Sequence, residues 1–220
     1  MKVQVEEALF VIDGVRHLTE STYVLRFSRN GMQFKPGQHL VLGLPVSTEL
    51  REYSIYSGIY DDFLEVLIKE VDEGLVSKQL KTIKPGDQLE VRGPYGFFLT
   101  KASNQDQGRV LFISSGTGIA PFHSYIKSFP GADYRVIHGV REMNEAYELT
   151  DYKKNQVHVC TSRDDRGDYE GRLTDYLLEA ELDPKRKVYL CGNSHMIFDA
   201  MDILRARGIP QTQIFTEVYF

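Results

Sequence analysis

Four consecutive residues in the stretch LREYSIYSG combine side chains suited to binding a phosphate and a flat ring: Arg51, Glu52, Tyr53 and Ser54. A guanidinium is the preferred bidentate partner of a phosphate, and a tyrosine offers an aromatic face for stacking. The alternation predicts a strand with Arg51 and Tyr53 on one face and Ser54 on the other. In the structural alternative, Arg51 pairs with an acid such as Glu52, and Tyr53 lies at a sheet rim.

Two other stretches place glycine between an apolar strand and a helix. Glycine lets backbone amides approach a pyrophosphate, and open α/β sheets bind ligands at the carboxyl ends of their strands. The spacing is not the G-x-G-x-x-G fingerprint, so a plain strand-to-helix turn is the alternative. The cysteine in the second stretch is either core filler or a reactive thiol. The candidate residues are Gly116, Thr117 and Gly118 in ISSGTGIAP and Cys191, Gly192 and Asn193 in YLCGNSHM.

A third opening of this kind lies in DEGLVSKQL, which predicts a short helix over 75–82. The start of a helix offers N–H groups that have no partner within the helix, and a phosphate can accept from them. The residues at this opening are Gly74, Leu75, Val76 and Ser77.

The elements that position these residues change in character near residue 100. Residues 1–100 contain short β-branched or aromatic runs separated by turn residues, which predicts a closed antiparallel barrel. Two turns, KPGQ at 35–38 and KPGD at 84–87, carry the proline and glycine that a type II turn requires. The predicted strands are VQVEEALFVI, TYVLRFS, QHLVLGL, LREYSIYS, FLEVLIKEV and DQLEVRG, and the acids of FLEVLIKEV are expected to face solvent.

Residues 109–220 alternate strands with helical patterns, which predicts a parallel sheet covered on both faces. The predicted strands are RVLFIS, YRVIHG, VHVCT, KVYLCG and QIFTEV. The clearest helix, SHMIFDAMDILRARG, is expected to be capped by Ser194 and to end at Gly208. With the polar segment 100–109 as a hinge, we expect a barrel domain over 1–101 and an α/β domain over 102–220.

The composition excludes several classes of protein. The 220 residues are 42% hydrophobic and carry a net charge of −5, which argues against a general nucleic-acid binder. No apolar run approaches the roughly 20 residues that a membrane span needs, and the first residues do not resemble a signal peptide. The two cysteines, Cys160 and Cys191, form no disulfide framework or metal ligand set. We therefore expect a cytoplasmic protein without metal and without membrane insertion.

Six motifs in register resemble the ferredoxin–NADP⁺ reductase family of flavoproteins, and the resemblance covers essentially the whole chain. They are REYS at 51–54, IKEVDEGLVS at 68–77, GPYGFF at 93–98, SSGTGIAPF at 114–122, CGN at 191–193 and the terminal EVYF. The resemblance implies a Greek-key FAD-binding barrel followed by an NADP(H)-binding α/β domain.

On the family pattern, the first half binds FAD. Arg51 would hold the pyrophosphate, Tyr53 would stack on the isoalloxazine ring, and Ser54 would hydrogen-bond near flavin N5. The segment Gly74–Ser77 would contact the pyrophosphate from its helix side. The resemblance also assigns to the cofactor Glu52, Ile68, Lys69, Leu75, Val76, Thr117, Tyr219 and Phe220.

The second half would bind the pyridine nucleotide, with the diphosphate over Gly116–Gly118 and the nicotinamide beside Cys191–Asn193. The residues implied to act in hydride transfer are Ser54, Cys191, Glu217 and Tyr219. The residues implied to bind a 2′-phosphate are Arg141, Ser162, Arg163 and Arg172. These favour NADP(H) over NAD(H), although Asp164 and Asp165 carry the opposite charge nearby.

The resemblance therefore implies a flavoprotein that transfers hydride between NADPH and FAD and exchanges electrons with ferredoxin or flavodoxin, as a monomer or weak dimer. One alternative is the reductase component of an oxygenase, and another is a free-flavin or ferric reductase. These enzymes would share both domains, so the fold does not separate them. A flavin-free nucleotide-binding or interaction module is the non-enzymatic alternative.

Overall fold

The computed structural model describes residues 8–45, 47, 49–99 and 109–219. The chain forms two compact units. The first unit holds the described residues through Phe97 together with Ala120–Ser128, and the second holds the described residues of 98–119 and 129–220. The predicted domain boundary at 101/102 and most of the predicted hinge lie outside the described residues.

The first unit is built on a six-stranded antiparallel sheet in the order β4-β3-β6-β1-β2-β5. A bridge between Ile55 and Val66 joins the two outermost strands, so the sheet closes into the predicted barrel. Strand β6 returns to lie beside β1, as in a Greek key. The strands are β1 Ala8–His17, β2 Thr22–Ser28, β3 His39–Gly43, β4 Arg51–Ser54, β5 Phe63–Lys69 and β6 Gln88–Tyr95, and helix α1 spans Leu75–Lys81.

Both predicted type II turns are confirmed. Gly37 and Gly86 have φ of +83° and +92°, which a side chain would strain. The N–H of Gln38 donates to the Lys35 carbonyl at 3.1 Å, and that of Asp87 donates to the Lys84 carbonyl at 3.0 Å. The first turn directly precedes β3, and the second directly precedes β6.

The sequence prediction was wrong for the burial of Glu65 and for the end of β1, and it also extended β4 and β5 past their ends at Ser54 and Lys69. Glu65 of β5, expected to face solvent, is only 3% exposed. Its partner in the ladder is Arg26 of β2, whose Nε and Nη2 donate to Glu65 Oε1 at 2.9 and 2.7 Å. The paired guanidinium makes this burial tolerable. Strand β1 continues to His17, beyond the predicted end at Ile12, through a register shift between Ile12 and Gly14.

The second unit is built on a six-stranded parallel sheet in the order β10-β9-β8-β7-β11-β12. The chain moves outward from β7 in one direction and then returns to place β11 on the other side of β7. The carboxyl edge beside β7 and β11 is therefore a topological switch point, where open sheets bind ligands. The strands are β7 Val110–Ser115, β8 Tyr134–Val140, β9 Val157–Thr161, β10 Tyr169–Glu170, β11 Lys187–Asn193 and β12 Ile214–Tyr219.

Helices α3 (Leu173–Glu179) and α4 (Ser194–Ala206) belong to this unit, as does a 3-10 turn over Gly116–Ile119. Apolar side chains of both helices, including Leu177, Ile197 and Leu204, pack with strand residues in one buried cluster. The predicted cap of α4 was wrong by one residue. Asn193 is the N-cap, since its side chain accepts from the N–H groups of His195 and Met196.

Helix α2 (Ala120–Ser128) packs in the first unit, although it directly follows the 3-10 turn of the second. Ser124 Oγ donates to the Ser57 carbonyl at 2.7 Å. The ring of His123 stacks on that of Tyr56, with centroids 3.8 Å apart. Helix α2 therefore packs against the loop after β4, although the two are far apart in the sequence. Among the described residues, no helix combines the length and apolar character needed to span a membrane.

Candidate functional site

Strand β4 divides its four side chains between the two faces of the barrel wall. Arg51 and Tyr53 lie opposite Leu42 and Leu40 of β3, and these leucines are fully buried in the barrel core. Paired residues of an antiparallel ladder share a face, so Arg51 and Tyr53 lie on one face of the strand, as predicted. Ser54 lies on the other face and is only 5% exposed.

The Arg51 guanidinium lies at the surface with a weak partner. It donates to Glu49 Oε2 at 2.8 Å and to the Leu50 carbonyl at 2.8 Å, so its acidic partner is not Glu52. The side chains of Arg51 and Glu49 are 58% and 44% exposed, and such ion pairs contribute little to stability. A phosphate could therefore replace Glu49 at small cost.

Tyr53 packs against the barrel core close to Tyr23 and the start of α1. Burial raises the pKa of Tyr53 to about 12, while the nearby Arg51 acts in the opposite direction. The hydroxyl of Tyr23 donates to the Ser77 carbonyl in the first turn of α1. The strand with Arg51 and the segment Gly74–Ser77 are thus supported by the same part of the barrel.

Gly74 lies at a tightly packed bend. An added Cβ would lie 3.0 Å from both Ser77 Oγ and Val71 Cβ. Ser77 Oγ itself accepts from the N–H of Val71 at 3.2 Å. The backbone of this segment is therefore closely packed around Gly74.

In the second unit, the two strand-to-helix turns that contain the predicted glycines lie in direct contact. A Cβ on Gly118 would lie 2.4 Å from the Cys191 carbonyl oxygen and 2.6 Å from Gly192 Cα. A Cβ on Gly192, whose φ is +131°, would lie 2.5 Å from Ser115 Oγ. That hydroxyl accepts from the N–H of Asn193 at 3.1 Å. Glycine is required at both positions, because any Cβ would collide with the neighbouring segment of the chain.

Gly116 differs from these two glycines. Its φ is +53°, and an added Cβ would have no atom within 4 Å. The backbone here lies against open space at the carboxyl end of β7. A negatively charged diphosphate could approach its N–H groups closely.

Strand β12 brings two further candidates to Cys191. Cys191 is paired with Glu217 in the ladder, and Asn193 with Tyr219. Burial raises the pKa of the Cys191 thiol well above its usual value; the Glu217 carboxylate adds to this, while a hydrogen bond with Tyr219 opposes it. Cys191 is therefore a buried neutral thiol, which excludes a reactive thiolate. Cys191 remains a candidate site residue because it lies beside Glu217 in the ladder and bonds Tyr219.

Three arginines at the other side of the sheet follow three neighbouring strands. The N–H of Arg163, after β9, donates to the carbonyl of Arg141, after β8, at 2.8 Å. Arg172 follows β10, whose Glu170 pairs with Thr161 of β9. All three side chains are exposed, and in the part of the chain that the structure describes none of them makes an ion pair. Ser162 lies between the first two, with its N–H bound to the Val140 carbonyl.

Asp164, which directly follows Arg163 in the sequence, is paired with another arginine. Asp164 accepts from the Arg166 guanidinium and, at 2.9 Å, from the N–H of Met143. The hydrogen bond with Arg166 is the main reason that the pKa of Asp164 is well below its usual value. Arg166 therefore offsets the charge of Asp164. Two further acids, Glu145 and Asp175, accept from the backbone N–H groups of Arg141 and Arg172 at 2.9 and 3.3 Å.

The remaining candidates occupy varied positions. Ile68 and Val76 are buried in the barrel core, so only their backbone groups are available to a ligand. Glu52 is 73% exposed, and Leu75 is 55% exposed. Lys69 ends β5 opposite Thr22, and Thr117 lies in the 3-10 turn. Phe220 lies outside the described residues.

Sequence reasoning missed three residues that contact the candidates. Tyr23 bonds Ser77, Ser115 bonds Asn193, and His39 is the ladder partner of Ser54. Ser115 stands directly before Gly116, a position that could have drawn attention to it. No local signal identified Tyr23 or His39, since both contacts depend on strand register.

Known proteins resemble each half of the chain and the whole of it. A sequence model of the oxidoreductase FAD-binding domain matches residues 10–99, and one of the oxidoreductase NAD-binding domain matches residues 112–202. The ferredoxin–NADP reductase of Azotobacter vinelandii is 30% identical over 89% of this chain and 88% of its own length. The toluate 1,2-dioxygenase electron transfer component of Pseudomonas putida is 28% identical over 94% of this chain, which spans 66% of that protein.

Among solved structures, a ferredoxin NADP⁺ reductase from Neisseria gonorrhoeae with bound FAD and NADP has a TM-score of 0.84. Its sequence is 24% identical, and the alignment covers 100% of both chains. At this identity the likeness establishes the fold.

An antiparallel barrel with an FAD-binding domain sequence, followed by a parallel sheet with an NAD-binding domain sequence, defines an FAD-dependent oxidoreductase. The similarity to the Azotobacter enzyme extends over nearly all of both proteins. The chain belongs to the ferredoxin–NADP reductase family.

Proposed function

We propose that this protein is a ferredoxin- or flavodoxin-dependent NADP⁺ reductase, which transfers hydride between NADPH and FAD and exchanges electrons with a small carrier. The observation that carries the choice of nucleotide is the group Arg141, Arg163 and Arg172. These guanidiniums follow three adjacent strands and have no ion pair among the described residues. A 2′-phosphate requires such a group, whereas an NAD site commonly presents a carboxylate to the ribose.

The residues of the barrel suit FAD. Arg51 offers a guanidinium with only a weak partner, and Tyr53 offers a ring supported by the core. Gly74 and Ser77 form a compact backbone segment anchored beside them. We assign the pyrophosphate to Arg51 and to this segment, the flavin ring to Tyr53, and the region of flavin N5 to Ser54.

The residues of the sheet edge suit a dinucleotide diphosphate. Gly116 leaves open space above the backbone, and Gly118 and Gly192 allow two backbone segments to meet. We assign the diphosphate to Gly116–Gly118 and the nicotinamide to Cys191–Asn193.

The chain's own groups position the reactants and exclude water, while FAD when bound supplies the two-electron chemistry and the release of single electrons. The buried thiol of Cys191 stays protonated, so it can contact the nicotinamide without adding charge. Glu217 and Tyr219 lie beside it on β12. We propose that Cys191 and Glu217 orient the nicotinamide, because correct alignment supplies a large part of a hydride-transfer rate, and that Tyr219 covers the flavin until the nicotinamide displaces it.

Rapid-mixing experiments with the yellow holoprotein test the nucleotide choice. We expect NADPH to reduce the flavin at far lower concentrations than NADH. Arg163→Ala and Arg172→Ala should each weaken NADPH binding about 10- to 100-fold, since a hydrogen bond to a charged group contributes about 1.5–3 kcal/mol. NADH binding should not change. Arg205→Ala, which removes an exposed arginine of α4 paired with Asp202, is the matched control. Equal use of both nucleotides by the unaltered protein would refute the assignment.

A second candidate, the reductase component of an oxygenase, is favoured by the similarity to the toluate dioxygenase component over 94% of this chain. The two candidates differ in the electron acceptor. We expect NADPH-dependent reduction of cytochrome c to depend on added ferredoxin or flavodoxin. Reduction that is equally fast without either carrier would favour the second candidate.

A further inference from the structure

The segment from Glu70 to Lys81, which contains the proposed pyrophosphate contacts, is attached to the hairpin between β1 and β2. The N–H of Glu70 donates to the Ser21 carbonyl at 2.7 Å, and Lys81 Nζ donates to the Glu20 carbonyl at 2.7 Å. Both bonds lie at the ends of the segment. Tyr23 makes the contact near its middle.

Tyr23 is fully buried in β2, and its hydroxyl donates to the Ser77 carbonyl, 54 positions further along the chain. Ser77 is itself held, because its Oγ accepts from the N–H of Val71. Gly74 packs closely between Val71 and Ser77, since an added Cβ would lie 3.0 Å from Ser77 Oγ and from Val71 Cβ. A shift of the Ser77 carbonyl would therefore displace the whole bend that begins at Val71.

We propose that Tyr23 is a positioning residue for FAD, whose hydroxyl holds Ser77 and so fixes the backbone of Gly74–Ser77 for contact with the pyrophosphate. This inference rests on the proposed function, which assigns FAD to this segment. Tyr23 touches no reacting atom; it acts through Ser77. The role belongs to the hydroxyl, because only the hydroxyl bonds Ser77. The ring without it would fill the core equally well but would leave the Ser77 carbonyl unheld.

The test is a comparison of FAD with riboflavin, which carries the same ring without phosphates. The full-length chain is freed of flavin and titrated with each compound, and the quenching of flavin fluorescence is followed. We expect Tyr23→Phe to weaken FAD binding about 3- to 10-fold, the effect of one lost buried hydrogen bond. Riboflavin binding should be unchanged, since the ring sites are untouched.

Thr22→Val is the matched control. Thr22 is the neighbouring residue of β2, and its Oγ1 is buried without a hydrogen-bond partner among the described residues. Removing that hydroxyl should alter neither affinity. Gly74→Ala should reproduce the selective loss of FAD binding, because its Cβ presses on the same bend. In the double variant with Tyr23→Phe and Gly74→Ala, the loss of FAD affinity should be smaller than the two separate losses combined, because both substitutions act on the same segment.

Equal losses of FAD and riboflavin binding, no loss at all, or a Tyr23→Phe chain that does not fold would each overturn the proposal. The first and third results would assign Tyr23 to the barrel core. Failure of the unaltered chain to bind FAD would instead refute the proposed function, so the two failures are distinguishable.

Discussion

His138 provides a test of the electrostatics of the second unit. It lies on β8, is 2% exposed, and has Nδ1 2.8 Å from Ser114 Oγ. Its Nε2 is buried without a hydrogen-bond partner among the described residues. Burial lowers the pKa of His138 from 6.5 to about 4, against smaller opposing effects of Ser114 and Glu145.

Because the pKa of His138 is lower in the folded state than in the unfolded state, its contribution to stability is fully present above pH 6.5. That contribution is lost as the pH falls towards about 4. A shift from 6.5 to about 4 corresponds to about 3 kcal/mol of unfolding free energy.

His138→Asn removes the titration and keeps an amide atom near the position of Nδ1, where it can bond Ser114. We expect the unaltered protein to lose about 3 kcal/mol more unfolding free energy than the variant between about pH 7 and about pH 4. Urea denaturation at a series of pH values, with FAD in constant excess, measures the difference. His195→Asn, an exposed position on α4, is the control. A pH dependence in His138→Asn equal to that of the unaltered protein would refute the reasoning.

Three other outcomes can be checked directly. Gly118→Ala should weaken NADPH binding and lower the unfolding free energy by about 1–3 kcal/mol, as overpacking does, because its Cβ would meet the Cys191 carbonyl; Gly131→Ala, with open space around it, should be neutral in titration and thermal unfolding. Neither Cys160 nor Cys191 should react with iodoacetamide in the native protein at neutral pH, since burial raises both thiol pKa values; mass spectrometry should find labelling only after denaturation. Tyr219→Ser should raise nucleotide affinity and slow turnover if Tyr219 covers the flavin, and equal affinities by titration would contradict that role.

Local patterns predicted most of the strands because period-two alternation and glycine-containing turns are local properties. TYVLRFS coincides with β2, and VHVCT coincides with β9. The turns with Gly118 and Gly192 were predicted to lie at the carboxyl edge of one sheet, and they do, in direct contact with each other.

Features that depend on register were beyond local reasoning. Glu65 is buried opposite Arg26, which faces it across the ladder and lies 39 positions away in the sequence. The two-residue strand β10 has no periodic pattern, yet it places Arg172 beside the other arginines. In both cases the pairing of strands, and not the local sequence, decides where the residue lies.

The packing of α2 in the first unit has a consequence for protein engineering. A chimera joined between Phe98 and Arg109 would take Ala120–Ser128 from one parent and the loop that contacts Ser124 from the other. The Ser57 carbonyl and the Tyr56 ring would then meet a foreign helix. Successful exchange of flavin modules between relatives should therefore transplant this helix and the loop after β4 as one discontinuous cassette.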